Sequence, residues 1–479
     1  MMNKKTLVWF RQDLRLSDNP ALYQAVLNGS VLAIYILDEQ KNKDISMGAA
    51  SMWWLHHSLT KLASSLDNKL NFYKGDAKKI ILKLIKEYSI DGVYWNRCYE
   101  PARVEQDAEI KNLLIHAGID CQDFNASLLW EPELVLKSDK TPYKVFTPFY
   151  RNGCLSAQAP RIPLEKPKKL NLVKDPVHAI DLDDLGLLKN KLPAFLAEQD
   201  WIIGEDGAQD VLATFIQKPL ENYKEGRNVP AKKNVSRLSP YLHFGEISPN
   251  QAWYAAKNRG FVSASLGNNV DCFLSELGWR EFSHSLLYNF PDLPRKNFQS
   301  KFDSFPWRNN QKLLTAWQQG QTGYPIIDAG MRELLQTGYM HNRVRMIVGS
   351  FLVKNLLLHW HHGADWFWDR LVDADLANNS ASWQWIAGSG ADAAPYFRIF
   401  NPVTQGEKFD TDGVYTKRFL PELAALPSKY LFSPWEVKEP ILREAGVILG
   451  KTYPWPIIDL KASRSNALEA FKSLSTEIK

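Results

Sequence analysis

A short segment near the middle of the sequence, ELGWREF (Glu276–Phe282), brings a carboxyl, an indole and a guanidinium close together. On a helix, Glu276, Trp279 and Arg280 share one face, because residues three and four apart are neighbours. Charged groups on a buried face need partners. The pattern therefore indicates either the edge of a binding site or an internal ion-pair network.

The segment HNRVRM (His341–Met346) repeats this arrangement with different chemistry. Asn342, Arg345 and Met346 share a helical face by the same spacing rule. An amide, a cation and a soft apolar group could line a pocket for a planar ligand with polar edges. An ordinary amphipathic helix would have the same spacing, so both interpretations stay open at this point.

A third segment, DADLANNSASWQWIAGSG (Asp373–Gly390), contains two tryptophans two residues apart. If it is helical, Asn379 and Trp383 face the same way, and Trp385 points about 200° round the axis from Trp383. One tryptophan can then face the core while the other faces outward.

Two serines in NVSRLSPYLHFGEIS (Asn234–Ser248) precede a proline and a helix-like run. Hydroxyls and free backbone amides at a helix start can bind a phosphate, and Ser236 and Ser239 are the candidates. Plain helix capping is the alternative. The chain has no P-loop, and GSGADA (Gly388–Ala393) is a near miss for a dinucleotide fingerprint without a preceding strand. The histidines of HWHHGAD fit no standard ligand spacing, so no metal is predicted.

The elements that must position these residues fall into two kinds. The N-terminal part alternates short apolar runs with helix-like segments, which is typical of a parallel sheet covered by helices. The predicted strands are Thr6–Phe10, Val31–Leu37, Asn71–Gly75, Gly92–Asn96 and Asp120–Phe124. We therefore expect a five-stranded, Rossmann-like α/β domain over residues 1–130.

Residues 131–199 are rich in proline and lysine and have no period, so they predict an interdomain linker. From residue 200 to residue 479, helical periodicity dominates. The predicted helices include Phe273–Leu287, Ile326–Thr337, Arg343–Leu358 and Trp366–Ala374. The second domain is therefore predicted to be all-α.

Composition limits the class of protein. The 479 residues are 45 % hydrophobic and 23 % charged, and the net charge of +5 is only a weak bias toward an anionic partner. Apolar runs are too short to span a bilayer, no signal peptide is visible, and the four cysteines form no CxxC pair. We expect a cytoplasmic protein, without membrane association, that is a monomer.

Taken in order, these segments resemble the photolyase/cryptochrome family, specifically its class I cyclobutane pyrimidine dimer photolyases. The resemblance covers nearly the whole chain and includes LVWFRQDLRLSDNPAL, YKVFTPFYRN, RLSPYLHFGEIS, ELGWREF, TGYPIIDAGMREL, GYMHNRVRMIVGSFLVKNLL, WQWIAGSGADAAPYFRIFNPVTQGEKFD and FLPEL. It implies an antenna domain followed by a helical domain that binds FAD, which is active as the reduced anion. The implied activity is light-driven repair of ultraviolet-damaged DNA by electron transfer to the dimer.

The resemblance also implies roles for individual residues. Arg345 would pair with Asp373, and Asn379 would face flavin N5. The implied FAD-binding set is Tyr223, Val235, Ser236, Arg237, Leu238, Ser239, Phe273, Arg345, Asp373, Asp375 and Asn379. Val235 departs from the family, whose members often have threonine there, so a phosphate contact is in doubt.

The implied catalytic and DNA-binding residues form two further sets. The dimer, flipped out of the duplex, would contact Glu276, Trp279, Asn342, Met346 and Trp385. Further DNA contacts would come from Arg280, Arg343, Arg398, Gln405 and Lys408. Trp383, Trp360 and Trp307 match the family's electron-hopping chain.

Three alternatives were weighed against this interpretation. A (6-4) photolyase would need two histidines where Asn342 and Met346 stand. A cryptochrome-type photoreceptor usually has a long C-terminal tail and altered dimer contacts. A light-independent flavin electron carrier is the most distant alternative.

A second, antenna chromophore is expected to be a folate or a deazaflavin, or to be absent. Ser51 and Cys98 stand where deazaflavin-type family members have an arginine and an acidic residue, although Glu100 remains. The bulky MWW run (Met52–Trp54) could fill the cleft. The sequence leaves the identity of the antenna open.

Overall fold

The computed structural model describes residues 4–38, 46–189, 201–396 and 398–474. The chain divides into two compact units. Unit 1 comprises Met1–Leu192, Asp200–Glu221 and Ser236–Pro291, and unit 2 comprises Pro193–Gln199, Asn222–Val235 and Asp292–Lys479. The end of the expected linker, at residues 190–199, and the expected start of the second domain at residue 200 lie outside the described residues, so these domain limits stay a prediction.

Unit 1 contains a five-stranded parallel sheet in the order β3-β2-β1-β4-β5. The strands are β1 (Lys4–Phe10), β2 (Gly29–Leu37), β3 (Asn71–Lys74), β4 (Gly92–Asn96) and β5 (Asp120–Phe124). Strands β1 and β2 are almost fully buried, as expected when helices cover both faces of a parallel sheet. The predicted α/β sheet is confirmed.

Eight helices of six residues or more lie in the described part of unit 1. They are α1 (Pro20–Asn28), α2 (Ala49–Ser65), α3 (Ala77–Tyr88), α4 (Pro101–His116), α5 (Glu205–Gln217), α6 (Ser239–Phe244), α7 (Pro249–Val262) and α8 (Gly267–Asn289). Asn19 and Asp76 cap α1 and α3, since each side chain accepts a hydrogen bond from the backbone N–H three residues later.

The described residues of unit 2 form helices joined by turns and loops, with isolated bridges and no strand. Its helices of six residues or more are α9 (Gln311–Gln318), α10 (Pro325–Thr337), α11 (Asn342–Ser350), α12 (Trp360–Arg370), α13 (Leu376–Ala387), α14 (Pro402–Phe409), α15 (Val414–Phe419), α16 (Glu439–Glu444) and α17 (Leu460–Ser473). One buried apolar cluster joins α9 to α13. The all-α prediction for this part of the chain is confirmed.

Two predicted helices have the wrong limits. The predicted Arg343–Leu358 helix ends earlier, because α11 widens into a π-helical turn over Phe351–Asn355 and Leu357 has φ +57°. The predicted Trp366–Ala374 helix is shifted, since α12 covers Trp360–Arg370. His359 accepts from the His361 N–H and so starts α12, and the extended Leu371 ends it.

Candidate functional site

An ion pair links α11 to the segment before α13. The Arg345 guanidinium donates to both oxygens of Asp373, at 2.8 and 3.1 Å, and its Nε donates to the Met340 carbonyl at 2.7 Å. Burial disfavours the guanidinium charge, but the Asp373 carboxylate more than offsets this and raises the pKa of Arg345. The predicted pair is therefore present, as a fixed charged edge in unit 2.

The start of α13 presents an oriented amide. Asp375 caps the helix, because its carboxylate accepts from the Asn378 backbone N–H at 2.8 Å. Asn379 in the first turn donates its side-chain N–H to the Ala364 carbonyl at 3.0 Å. That bond fixes which end of the amide is nitrogen, so the Asn379 oxygen is left as a hydrogen-bond acceptor. An acceptor at this position fits the N5–H of a reduced flavin, so the residues present fit FAD.

Helix α11 also carries Asn342 and Met346, which the resemblance predicts to contact the dimer. Asn342 lies exposed at the first position of the helix, and Met346, one turn later, is half-buried. The Arg343 guanidinium contacts the Met346 sulfur at 3.7 Å and the Asn228 side-chain oxygen at 2.5 Å. Arg343 is thus held within unit 2 from two sides, and its predicted contact with DNA stays a prediction.

The two tryptophans of α13 point in different directions, as their spacing predicts. Trp383 is buried at 4 % exposure, whereas Trp385 is half-buried at the edge of the core. Trp360 is fully buried and Trp307 is half-buried. The His359 ring contacts both of these last two, with its centroid 5.1 Å from that of Trp307 and 5.6 Å from that of Trp360.

In unit 1, helix α8 presents Glu276 and Trp279, both half-buried. The Trp279 ring stacks on Phe146, with centroids 3.8 Å apart and planes 10° from parallel. Phe282 meets the same indole edge-on at 5.9 Å. Sequence reasoning missed the role of Phe146, although the residue lies in the family-like segment YKVFTPFYRN.

The neighbouring charged residues of α8, Arg280 and Glu281, form hydrogen bonds with backbone groups inside unit 1. The Arg280 guanidinium donates to the Ser127 carbonyl at 2.6 Å, and its side chain is 12 % exposed. Glu281, which sequence reasoning also missed, accepts from the backbone N–H groups of Leu129 and Trp130 at 2.9 and 3.2 Å. Burial raises the pKa of Glu281 to about 7. Of the two alternatives for this segment, Arg280 and Glu281 favour the internal polar network, and the DNA contact of Arg280 stays a prediction.

The remaining expected FAD contacts lie in both units. In unit 2, Tyr223 is buried and Val235 is half-buried. In unit 1, the Ser236 hydroxyl accepts from the Leu238 N–H at 3.4 Å, and Ser239 begins α6 and is exposed. Phe273 is buried against Phe215, and Arg237 has φ +53° and lies over the Trp201 ring at 4.0 Å.

Helix α14 and the segment before it carry the predicted phosphate contacts. Arg398 and Lys408 are exposed and Gln405 is half-buried. The Arg398 carbonyl accepts from the buried Lys354 ammonium at 3.1 Å, which ties this part of the chain to the core of unit 2.

The segments expected to meet an antenna chromophore are tightly packed where they are described. Trp54 is fully buried, with its ring 5.1 Å from Trp201 and 5.2 Å from Tyr241, and its indole N–H donates to Glu246 at 3.0 Å. Burial raises the pKa of the Cys98 thiol to about 11. Of the family-like segment Asp44–Trp54, which is expected to contact the antenna, Asp44 and Ile45 lie outside the described residues.

Two family descriptions match the chain. "DNA photolyase" covers residues 6–168, and "FAD binding domain of DNA photolyase" covers residues 273–473. A deoxyribodipyrimidine photo-lyase of Agrobacterium fabrum is 47 % identical over 473 residues, which are 98 % of each chain. The chain belongs to the DNA photolyase family. The predictions of a photolyase-family enzyme and of FAD as its cofactor are confirmed.

Two further relatives refine this placement. Cryptochrome-2 of Arabidopsis thaliana is 37 % identical over 97 % of this chain and 78 % of its own. The crystal structure of a bacterial class III photolyase from Agrobacterium tumefaciens is 46 % identical, with a TM-score of 0.94 over 99 % of this chain and 98 % of that one. The second relative does not support the class I part of the expectation. None of the described helices is long and apolar enough to cross a membrane.

Proposed function

We propose that this protein splits cyclobutane pyrimidine dimers in ultraviolet-damaged DNA, using light and reduced FAD. The observation that supports this substrate is the pair Asn342 and Met346, which lie one turn apart on α11. Neither side chain can act as the proton donor and acceptor that a (6-4) photoproduct requires. An amide and a thioether suit a substrate that is held and then cleaved by electron transfer.

Reduced FAD would supply the electron that opens the two cyclobutane bonds. Within unit 2, the Arg345–Asp373 pair, Asp375 and Asn379 would hold it. The Asn379 oxygen would accept the N5–H, and Ala364 keeps that oxygen in place. The buried ion pair would exclude water from the polar edge of the cofactor.

The dimer would be held by aromatic and polar side chains. In unit 1, Trp279 offers a flat face that Phe146 keeps in one orientation, and Glu276 offers a carboxyl to a polar edge. In unit 2, Asn342 offers an amide and Trp385 a second apolar surface. A dimer pairs poorly with the opposite strand, so it leaves the duplex at lower cost than a normal base.

Affinity for the DNA backbone would come from exposed cations. Arg398 and Lys408 are exposed, and Gln405 lies on the same helix as Lys408. Contacts of this kind release counterions, so binding should weaken steeply as salt is raised. Arg280 stays a predicted contact, although its Nη1 already donates to the Ser127 carbonyl.

The similarity to a class III photolyase of 46 % identity supports class III rather than class I for this chain. The plant cryptochromes at 36–37 % identity support a second candidate, a blue-light photoreceptor with the same cofactor. Repair separates the two, since a photoreceptor without repair activity would leave dimers intact.

The test uses purified protein with FAD chemically reduced, an oligonucleotide carrying one thymine dimer, and blue light. Absorbance of intact thymine should recover in the light and not in the dark. Glu276→Ala should lower the repair yield and leave bound FAD unchanged. Asp271→Ala is the matched control, because Asp271 lies on the same helix and pairs at the surface with Arg151. Absence of recovery from the reduced wild-type protein would refute the repair function.

A further inference from the structure

The indole N–H of Trp360, in the core of unit 2, is hydrogen-bonded to one side chain. Its Nε1–H donates to the Asn297 side-chain oxygen at 2.9 Å, and Trp360 has no exposed surface. The Asn297 amide nitrogen donates in turn to the Asp303 carboxylate at 2.7 Å. Because Asp303 accepts from the nitrogen end, the oxygen end of the Asn297 amide is fixed toward Trp360. A buried indole N–H needs an acceptor, and Asn297 is the one it has.

Trp360 shares neighbours with two other tryptophans, Trp383 and Trp307. Trp383 packs on α12 so closely that a Cβ added at Gly363 would lie 2.1 Å from its ring. Gly363 is one turn beyond Trp360 on that helix. The His359 ring contacts both Trp360 and Trp307, with ring centroids 5.6 and 5.1 Å away. Burial lowers the pKa of His359 to about 4, so this ring adds no positive charge at neutral pH.

This inference rests on the proposed flavin-dependent function and on the electron-hopping chain that the family resemblance implies for Trp383, Trp360 and Trp307. Trp383 would lose one electron to light-excited oxidised FAD, Trp360 would give one to Trp383, and Trp307 would give one to Trp360. An added thiol would then give one electron to Trp307 and its proton to water, becoming a thiyl radical. Two thiyl radicals combine into a disulfide, so one disulfide forms for every two electrons. The net result of the hops is one electron moved inward and one positive charge moved outward.

The acceptor on the Trp360 N–H decides whether a proton moves as well. An indole that has lost an electron is a far stronger acid than a neutral indole. A carboxylate facing it would take the proton and trap a neutral radical at Trp360. The oxygen of an uncharged amide is a very weak base, so it holds the N–H without removing the proton.

We propose that Asn297 is a positioning residue of the electron path, which orients the Trp360 indole and keeps its proton in place while it is oxidised. Electron transfer from Trp307 then restores Trp360 without any proton having to return. The Asp303 carboxylate contributes by orienting the Asn297 amide, which links it to the Trp360 indole N–H.

The test compares Asn297→Asp and Asn297→Leu with wild-type protein containing FAD. Asn297→Asp should produce a deprotonated tryptophan radical in transient absorption, and the decay of the Trp360 radical should show a larger solvent deuterium effect than in wild type. Asn297→Leu should slow photoreduction about fivefold, because the indole loses its hydrogen bond. Asp303→Asn is the matched control, since it removes a charge and keeps the amide oxygen on Trp360; its rate should stay near that of wild type.

A dark measurement tests the positioning without any activity. The Trp360 indole N–H signal, identified by its loss in Trp360→Phe, should exchange slowly with solvent in wild type and in Asn297→Asp. It should exchange faster in Asn297→Leu. A merely structural role would alter exchange and leave the protonation state of the radical the same in Asn297→Asp.

Repair by chemically reduced protein keeps the two proposals apart. All Asn297 variants should repair like wild type, because reduced FAD needs no electron path. If they do, yet Asn297→Asp and Asn297→Leu match wild type in photoreduction and radical form, the role of Asn297 is wrong. If wild type repairs but is not photoreduced, the tryptophan electron path and the role of Asn297 are both refuted. Failure of reduced wild type to repair would overturn the proposed function itself.

Discussion

The Phe146 and Trp279 rings lie face to face, with centroids 3.8 Å apart. Stacked aromatic pairs contribute about 0.5–1.5 kcal/mol beyond the area they bury. Phe146→Leu keeps an apolar side chain but lets Trp279 rotate away from the dimer. We expect dimer-containing DNA to bind about 2- to 10-fold more weakly, measured by fluorescence anisotropy in the dark. Tyr143→Leu is the control, because Tyr143 contacts Phe149 and not Trp279; equal losses in both variants would contradict this role.

The Arg345–Asp373 pair should contribute strongly to stability. The Asp373 side chain is 3 % exposed, so Asp373→Asn leaves a partly buried guanidinium without its counter-charge. Removing one partner of a buried pair costs about 3–5 kcal/mol. Arg151 and Asp271 form an exposed pair, at 48 % and 51 % exposure, for which Asp271→Asn should cost at most about 1 kcal/mol. Urea unfolding compares the Asp373→Asn and Asp271→Asn variants. Similar losses of unfolding free energy would show that the Arg345–Asp373 pair contributes no more to stability than an exposed pair.

Much of this arrangement could be predicted from the sequence, because it depends on local spacing. The period of α13 separates Trp383 from Trp385, and alternating apolar runs predict the sheet. The position of α12 could not be predicted in this way, since its start depends on the His359 cap and not on apolar periodicity. Helix limits that depend on one side-chain hydrogen bond leave little trace in a hydrophobic pattern.

The partners of the site residues were harder still to predict. Phe146 and Trp279 are 133 residues apart in the sequence, and Asn297 and Trp360 are 63 apart. Spacing rules describe neighbours on one helix and contain no information about such contacts. Arg280 shows the same limit: its type suggests a phosphate contact, and its spacing gives no sign that its guanidinium also donates to the Ser127 carbonyl.

Glu281 should make stability fall as pH rises. Burial raises its pKa from 4.5 to about 7, so the folded chain binds a proton that the unfolded chain releases between these values. Stability is therefore lost between pH 4.5 and about pH 7, by about 3 kcal/mol in total. Glu281→Gln keeps an oxygen for the Leu129 and Trp130 N–H groups and does not titrate. Its unfolding free energy relative to wild type should thus increase from pH 4 to pH 8, and a constant difference would exclude this effect.

His341 should affect the pH dependence of stability with the opposite sign, so that its contribution to stability falls as pH falls. Burial, together with nearby arginines, lowers its pKa from 6.5 to about 4. Its Nδ1 accepts the Arg343 N–H that caps α11, so protonation there would break the cap. The unfolded chain binds the proton first, and stability is therefore lost as pH falls from 6.5 to about 4, by about 3 kcal/mol.

His341→Asn isolates the His341 effect, because asparagine can cap a helix and does not titrate. The unfolding free energy of this variant relative to wild type should be highest near pH 4 and should decrease by about 3 kcal/mol toward pH 7. Glu281 and His341 titrate in overlapping windows with opposite sign, so their effects partly cancel in the wild-type profile, to which other buried groups such as Glu246 and His359 also contribute. Measured together in urea from pH 4 to pH 8, the two single variants should diverge from wild type with opposite slopes. Parallel profiles would mean that neither buried group titrates as its surroundings require.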